Sequence, residues 1–172
     1  LGSYKNNDLV APAGQALPPE DRALFDEAAL AAATLDGTTY GVPLAQKSLA
    51  LFVNDALVPN APTSLEALAK RDGLPDGSFP LAYEAESAYF HAPLLHAFGG
   101  RMVDPDGTFA AASPGGGASS AFLLELKTQT ALPGEPNGAL VTELFASGKT
   151  KAVISGPGVL VDAKKSKSYK VF

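Results

Sequence analysis

Between Glu143 and Gly158 the chain leaves a helix, crosses a short apolar strand and turns toward a second helix with no residues to spare. Leu140, Leu144 and Phe145 recur at helical spacing, and Gly148 stands where a helix can stop in the left-handed conformation. Ala152, Val153 and Ile154 form an apolar run between Lys151 and Gly156, and Pro157 suits the first position of a following helix. Helix, strand and helix in immediate succession imply an α/β fold, with a central sheet flanked by helices.

The rest of the chain repeats this alternation. Residues 4–19, rich in Asn, Pro and Gly, are expected to form an irregular lead-in. From Pro18-Pro19-Glu20-Asp21 a helical stripe of Leu24, Phe25, Ala28, Ala29 and Ala32 predicts one helix to about Thr34. Asp36-Gly37 signals a turn, after which residues 40–44 and 48–53 read as extended. The second of these is apolar almost throughout, which predicts a strand buried on both faces. Thr63 or Ser64 is placed to cap a short helix over residues 65–70, and residues 79–83 predict another strand. Ser87 precedes a helix that bears Tyr89, Phe90, Pro93, Leu94, Leu95 and Phe98 and is closed by Gly99-Gly100. Residues 101–110 predict a hairpin about Asp104-Pro-Asp-Gly107. Gly115-Gly-Gly117 reads as a flexible join, with Ser119 or Ser120 opening a long helix to about Thr130.

With 172 residues, 46% of them hydrophobic and 18% charged, the chain can bury one good core, so a single lobe over residues 1–172 is the expectation. No apolar stretch approaches the roughly 20 residues of a membrane-spanning helix. A net charge of -5, with no basic cluster longer than Lys164-Lys165 plus Lys167, leaves no electrostatic footprint for nucleic acid. Zero cysteines exclude disulfides and thiol-ligated metal. Ser147-Gly-Lys-Thr150 imitates the tail of a phosphate-binding loop but follows a helix instead of opening one. Asp104-x-Asp-Gly107 lacks the further ligands of a calcium loop. His91 and His96, five apart on a helix, point about 140° apart and cannot share a metal. No nucleophile elbow or triad accompanies the serines, so no catalytic centre, metal or cofactor is expected.

Four segments, in order, carry a family resemblance: Asp36-Gly-Thr-Thr-Tyr-Gly-Val-Pro43, Ser48-Leu-Ala-Leu-Phe-Val-Asn-Asp-Ala-Leu-Val-Pro59, Ala88-Tyr-Phe-His-Ala-Pro-Leu-Leu-His-Ala-Phe-Gly-Gly100, and the run from Glu143 to Gly158. Together the segments resemble family 1 extracellular solute-binding proteins of the maltose/maltodextrin-binding type. The resemblance implies a periplasmic-binding-protein-like lobe of type II, the second lobe with its approach from the hinge, most of the first lobe being absent. It also implies an oligosaccharide ligand, a periplasmic or other extracytoplasmic location, and the membrane subunits of an ABC importer as partners. In that family sugars stack on aromatic rings and their hydroxyls meet carboxylates.

By that resemblance Tyr89 corresponds to a sugar-contacting tyrosine. Three positions depart from the pattern: Lys47 stands for a hinge-region glutamate, Ser87 for a sugar-binding carboxylate and Gly158 for a stacking Trp. Each has a plain reading too: Tyr89 as half-buried packing, Lys47 as a solvated charge, Gly158 as a helix start that binds water and not an anion. A lost Trp platform and two lost acceptors, the latter about 1 to 3 kcal/mol each, are comparable with the roughly 8 kcal/mol of a micromolar complex. Two roles therefore stand side by side. One is a receptor lobe for carbohydrate. The other is a lobe without ligand, serving as an interaction module in an extracytoplasmic loop of a sugar ABC permease.

Overall fold

The structure is a computed structural model that describes residues 1–163 and 169–172 and divides into two units, Leu1–Lys47 and Ser48–Phe172. In the first, the lead-in contains a short helix, α1 (Gly2–Asn6), and a 3-10 turn at Gly14–Ala16, so it is less irregular than its composition implies. The expected helix from Pro18 is split. Pro19–Leu24 winds as a 3-10 helix, Phe25 is extended, and α2 (Glu27–Ala32) starts afresh. Asp26 is the reason: its carboxylate accepts from the amides of Ala28 and Ala29 at 2.9 and 3.3 Å, a cap that requires extended backbone at position 26.

β1 (Thr34–Leu35) and β2 (Thr38–Thr39) form a hairpin in which Asp36 and Gly37 both take positive φ, 49° and 75°. That is the turn which matches strand twist. The Lys5 ammonium pairs with Asp36 and holds its carboxyl below the usual range. Residues 40–44 join no strand.

In the second unit the 48–53 run becomes β3 (Ala50–Asn54). α3 (Leu65–Leu68) follows, capped by the Ser64 hydroxyl on the Ala67 amide, and then β4 (Phe79–Ala82) and α4 (Ala88–Ala97). The expected 101–110 hairpin shrinks to one bridge, Val103 to Phe109, around Gly107. α5 (Pro114–Thr128) begins five residues before the expected serine, because Ser113 caps it through the Gly116 amide and Pro114 occupies the first turn. The three glycines are thus helical. Two of them are small for a packing reason: a Cβ at Gly116 would lie 1.7 Å from the Ala111 carbonyl oxygen, and one at Gly115 2.4 Å from the Gly100 amide.

α6 (Gly138–Ala146), β5 (Thr150–Ser155) and α7 (Val159–Ala163) realise the opening motif, and β6 (Tyr169–Val171) completes the sheet. Gly148 closes α6 at φ 73°, its amide on the Phe145 carbonyl and that of Lys149 on Leu144, so Ser147-Gly-Lys-Thr150 is a helix-to-strand turn. α7 starts at Val159, two residues later than Pro157 implies, because Pro157 and Gly158 are used in the turn. Lys164, Lys165 and Lys167 lie outside the described residues.

The four strands run β4-β5-β3-β6, with β4 parallel to β5 and the other pairs antiparallel. Strand alternation sends Val53, Leu81, Ala152 and Ile154 to one face, against Leu94, Phe122 and Leu126 of α4 and α5. Phe52, Ala82 and Val153 go to the other, against Val141, Leu144 and Phe145 of α6 and Val159 of α7. Both faces are covered by helices, which is why the central runs Ala50–Val53 and Ala152–Ile154 are apolar on consecutive residues.

Candidate functional site

Because β4 and β5 are parallel, with Leu81 opposite Ala152 and Ala82 opposite Val153, their carboxyl ends emerge at one edge of the sheet. In α/β sheets such an edge is where ligands bind, since the loops there are free of the ladder. Two connections meet at it: residues 83–87, leading from β4 into α4, and residues 156–158, leading from β5 into α7. β3 runs the other way, so Ser48 and Leu49, which lead into it, lie at the same edge.

The β4 connection is tightly built. Tyr83 is fully buried, and the Ser87 amide donates to the Glu84 carbonyl at 3.0 Å, which closes a turn that delivers Ser87 to the amino end of α4. Ser87 occupies the cap position, yet its hydroxyl caps no helix amide. Tyr89, in the first turn, is 60% exposed and stands edge-to-face on Phe90 at 5.2 Å and 84°. Phe90 is partly buried and packs on the core, so the tyrosine ring is displayed by an anchored neighbour and not left as a loose side chain. One turn on, Pro93 has no N–H to give to the Tyr89 carbonyl, so that oxygen lacks its ordinary helical donor.

The β5 connection is open. Gly158 is exposed, its φ is not in the left-handed range, and a Cβ built on it meets nothing within 4 Å. Neither backbone strain nor crowding therefore requires glycine. α7 has only five residues, too few to make an anion site of its amino end.

The structure thus brings Ser87, Tyr89 and Gly158 to one edge. Lys47 belongs to the other unit, where it is exposed and lines an open hollow of about 370 Å³ with Ala28, Ala32, Gly41 and Gln46. Sequence reasoning passed over Glu84 and Glu86, which flank Ser87 on the same connection. Glu84 approaches the first residue of α6, a Cβ at Gly138 lying 3.1 Å from its Oε1, where unpaired helix amides favour a carboxylate. Glu86 is exposed and pairs with Lys127 at 3.5 Å. The signal was the spacing Tyr83-Glu-Ala-Glu-Ser87, two acids just ahead of a helix start. His91 and His96 have separate partners, Tyr83 and Ser119 for the first and the Gly100 carbonyl for the second. Among the described residues no group of acids and histidines is arranged to hold a metal ion.

An exposed ring, hydroxyl and carboxylates at the carboxyl edge of a helix-covered sheet suit a polyhydroxylated solute, and sequence comparison shows what kind of chain carries them. The profile of a family described as bacterial extracellular solute-binding protein matches residues 1–172. The chain belongs to that family. That family's role is binding and not catalysis, and its members are extracellular. Among curated relatives, a protein of Brucella abortus (strain 2308), provisionally named a binding protein, is 25% identical over 172 residues, covering 91% of this chain and 42% of the relative. A similarly named protein of Brucella suis biovar 1 (strain 1330) matches to the same extent. This solute-binding chain therefore spans about two fifths of the length of the curated relatives it matches. Among solved structures, a cyclo/maltodextrin-binding protein complexed with maltotetraose superposes with a TM-score of 0.83 at 28% identity, over 99% of this chain and 46% of the other. The expected periplasmic-binding-protein-like lobe, α/β with helices on both faces of its sheet, is thereby established, as is the resemblance to the maltodextrin-binding type.

Proposed function

We propose that this chain is one lobe of an extracytoplasmic carbohydrate-binding protein that delivers maltodextrin-like oligosaccharides to an ABC importer. The observation that carries the reading is Tyr89: a solvent-facing ring, held edge-on by a core residue at the carboxyl edge of the sheet, is a platform for the C–H face of a sugar. Ser87 supplies a hydroxyl beside it, and Glu84 and Glu86 supply carboxylates in the same connection. Maltotetraose in the similar solved structure supports an oligosaccharide as the ligand class. Gly158 completes the proposed ligand surface as open space that a sugar unit can occupy, and Lys47, in the first unit, is a separate candidate ligand contact. The whole of residues 1–172 acts as a single lobe in this reading.

The test is calorimetric titration of the full-length gene product with maltotetraose and with unrelated oligosaccharides, repeated on Tyr89→Ala. Loss of the ring is expected to weaken binding by on the order of 2 kcal/mol, about 30-fold, with the fold intact. Unchanged affinity in that variant refutes the assignment.

A second reading rests on the bare Gly158 and the missing carboxylate at Ser87: a lobe that binds no sugar and serves as a rigid docking module in an extracytoplasmic loop of a sugar ABC permease. It predicts no heat with any saccharide and defective complex assembly when the lobe is deleted. No helix among the described residues is long and apolar enough to cross a membrane, so in this reading the membrane spans come from outside the chain described.

A further inference from the structure

Between the end of β4 and the middle of α5 runs a chain of hydrogen bonds that the ligand surface does not use. Tyr83 Oη lies 3.2 Å from His91 Nδ1, His91 Nε2 lies 3.4 Å from Ser119 Oγ, and the Ser119 hydroxyl donates to the Gly116 carbonyl at 3.0 Å. Tyr83 and Ser119 are buried to within 1% exposure, and the Tyr83 and His91 rings stack at 6.3 Å and 22°. The last bond orders all the others. A hydroxyl has one proton, so Ser119, having given its own to Gly116, can only accept from His91. The imidazole then carries its proton on Nε2, and Nδ1 accepts from the tyrosine.

We propose that Tyr83, His91 and Ser119 form a positioning device that pins residues 84–90, the segment carrying Ser87 and Tyr89, and that acidification releases it. The relay stands on its own geometry; its consequence for sugar rests on the function proposed above. Tyr83 and His91 are the two ends of that segment, so their bond staples it, while Ser119 ties the staple to α5. A second proton on His91 would set Nδ1–H against Tyr83 Oη, forcing the phenol to accept and turning its own proton into a fully buried site. The phenol cannot escape by ionising, because burial pushes it well above its ordinary range.

The groups that face the imidazole are Tyr83 from the end of β4 and Ser119 from α5. Of the acids on the intervening segment, Glu86 is turned to Lys127. No charge is among the causes acting on His91: burial alone lowers its pKa from the ordinary 6.5. The sign follows. The opened segment takes up a proton near pH 6.5 and the closed one only below that, so closure is fully favoured above 6.5 and is lost as pH falls through 6.5 toward the depressed value.

Amide exchange across pH 7.5 to 5, with the histidine ring protons followed by NMR, tests this without any ligand. Protection of the Ser87 and His91 amides, which donate to the Glu84 and Ser87 carbonyls, is expected to fall on acidification, tenfold for each unit by which the measured His91 pKa lies below 6.5, while the amides of α6 hold theirs. His91→Gln is the informative variant, since its amide can accept from Tyr83 and donate to Ser119 but cannot titrate. It should keep the protection seen at pH 7.5 and lose the acid step. Tyr83→Phe should shrink that step. The proposal is overturned if wild-type protection of the Ser87 and His91 amides is flat while His91 titrates, or if the step survives intact in His91→Gln. Absence of maltotetraose binding at both pH values refutes the carbohydrate reading and leaves the exchange result to decide the relay.

Discussion

Restoring a ring at position 158 tests the proposed ligand surface by gain and not by loss. Gly158 is exposed, has ordinary backbone geometry and has nothing within 4 Å of the place its Cβ would take, so a side chain can start there without a clash at its Cβ. Its carbonyl accepts from Val161 at 3.2 Å, which makes it the residue that opens α7, and an apolar residue caps a helix less well than glycine. The variant should therefore lose up to about 1 kcal/mol of local stability. Against this, a tryptophan that covers one face of a sugar unit removes roughly 80 to 100 Å² of apolar surface from water, about 2 to 2.5 kcal/mol at 25 cal/mol per Å². Affinity for maltotetraose should rise roughly 30- to 70-fold. Calorimetry on the full-length product gives the number, and Gly158→Ala, which alters the cap without adding a ring, is the control. If folded Gly158→Trp binds no tighter than wild type, or Gly158→Ala gains as much, the idea that this edge grips sugar is refuted.

Two neighbouring glycines in α5 should answer alanine in opposite ways. Gly116→Ala, whose Cβ meets the Ala111 carbonyl oxygen at 1.7 Å, must push the two segments apart and should cost several kcal/mol, whereas Gly117→Ala meets nothing and should gain about 0.5 to 1 kcal/mol from helix propensity. Urea denaturation of both variants checks the pair, and similar midpoints would contradict the packing described for this helix. Phe145→Ala removes a buried ring that meets Phe52 at 6.4 Å and Tyr169 at 6.3 Å, and should cost about 3 to 5 kcal/mol in the same assay.

The sheet core was legible in the sequence for a simple reason. The 48–53 run and the Ala152, Val153, Ile154 run are apolar on consecutive residues, which only a strand covered on both faces tolerates, and both became central strands. The glycines at 115–117 misled because glycine lowers helix propensity, while the contacts that require two of them, Gly115 with Gly100 and Gly116 with Ala111, exist only in the folded chain. Asp26 falls inside the stretch predicted as one helix, although a carboxylate that can cap will compete for the same amides and restart the helix.

The site was legible in part, and the division has the same physical origin. Tyr89 and Ser87 could be named because they sit on one contiguous motif, whereas their meeting with residue 158 depends on strand order, which local pattern does not encode: β4 and β5 are neighbours and parallel though about seventy residues separate them. Strand order also determines what the motif's histidine does. Read along the helix, His91 was a side chain 140° from His96 with no partner in reach of sequence logic. Placed beside the end of β4 and against α5, it becomes the middle member of a buried relay whose ends are Tyr83 and Ser119. Such partners are invisible to spacing, because Tyr83 looks like strand interior and Ser119 like a helix-opening serine. The fold gives the exposed Tyr89 ring and the part-buried His91 ring, two residues apart, opposite surroundings, the one facing outward to solvent and the other inward to Tyr83 and Ser119.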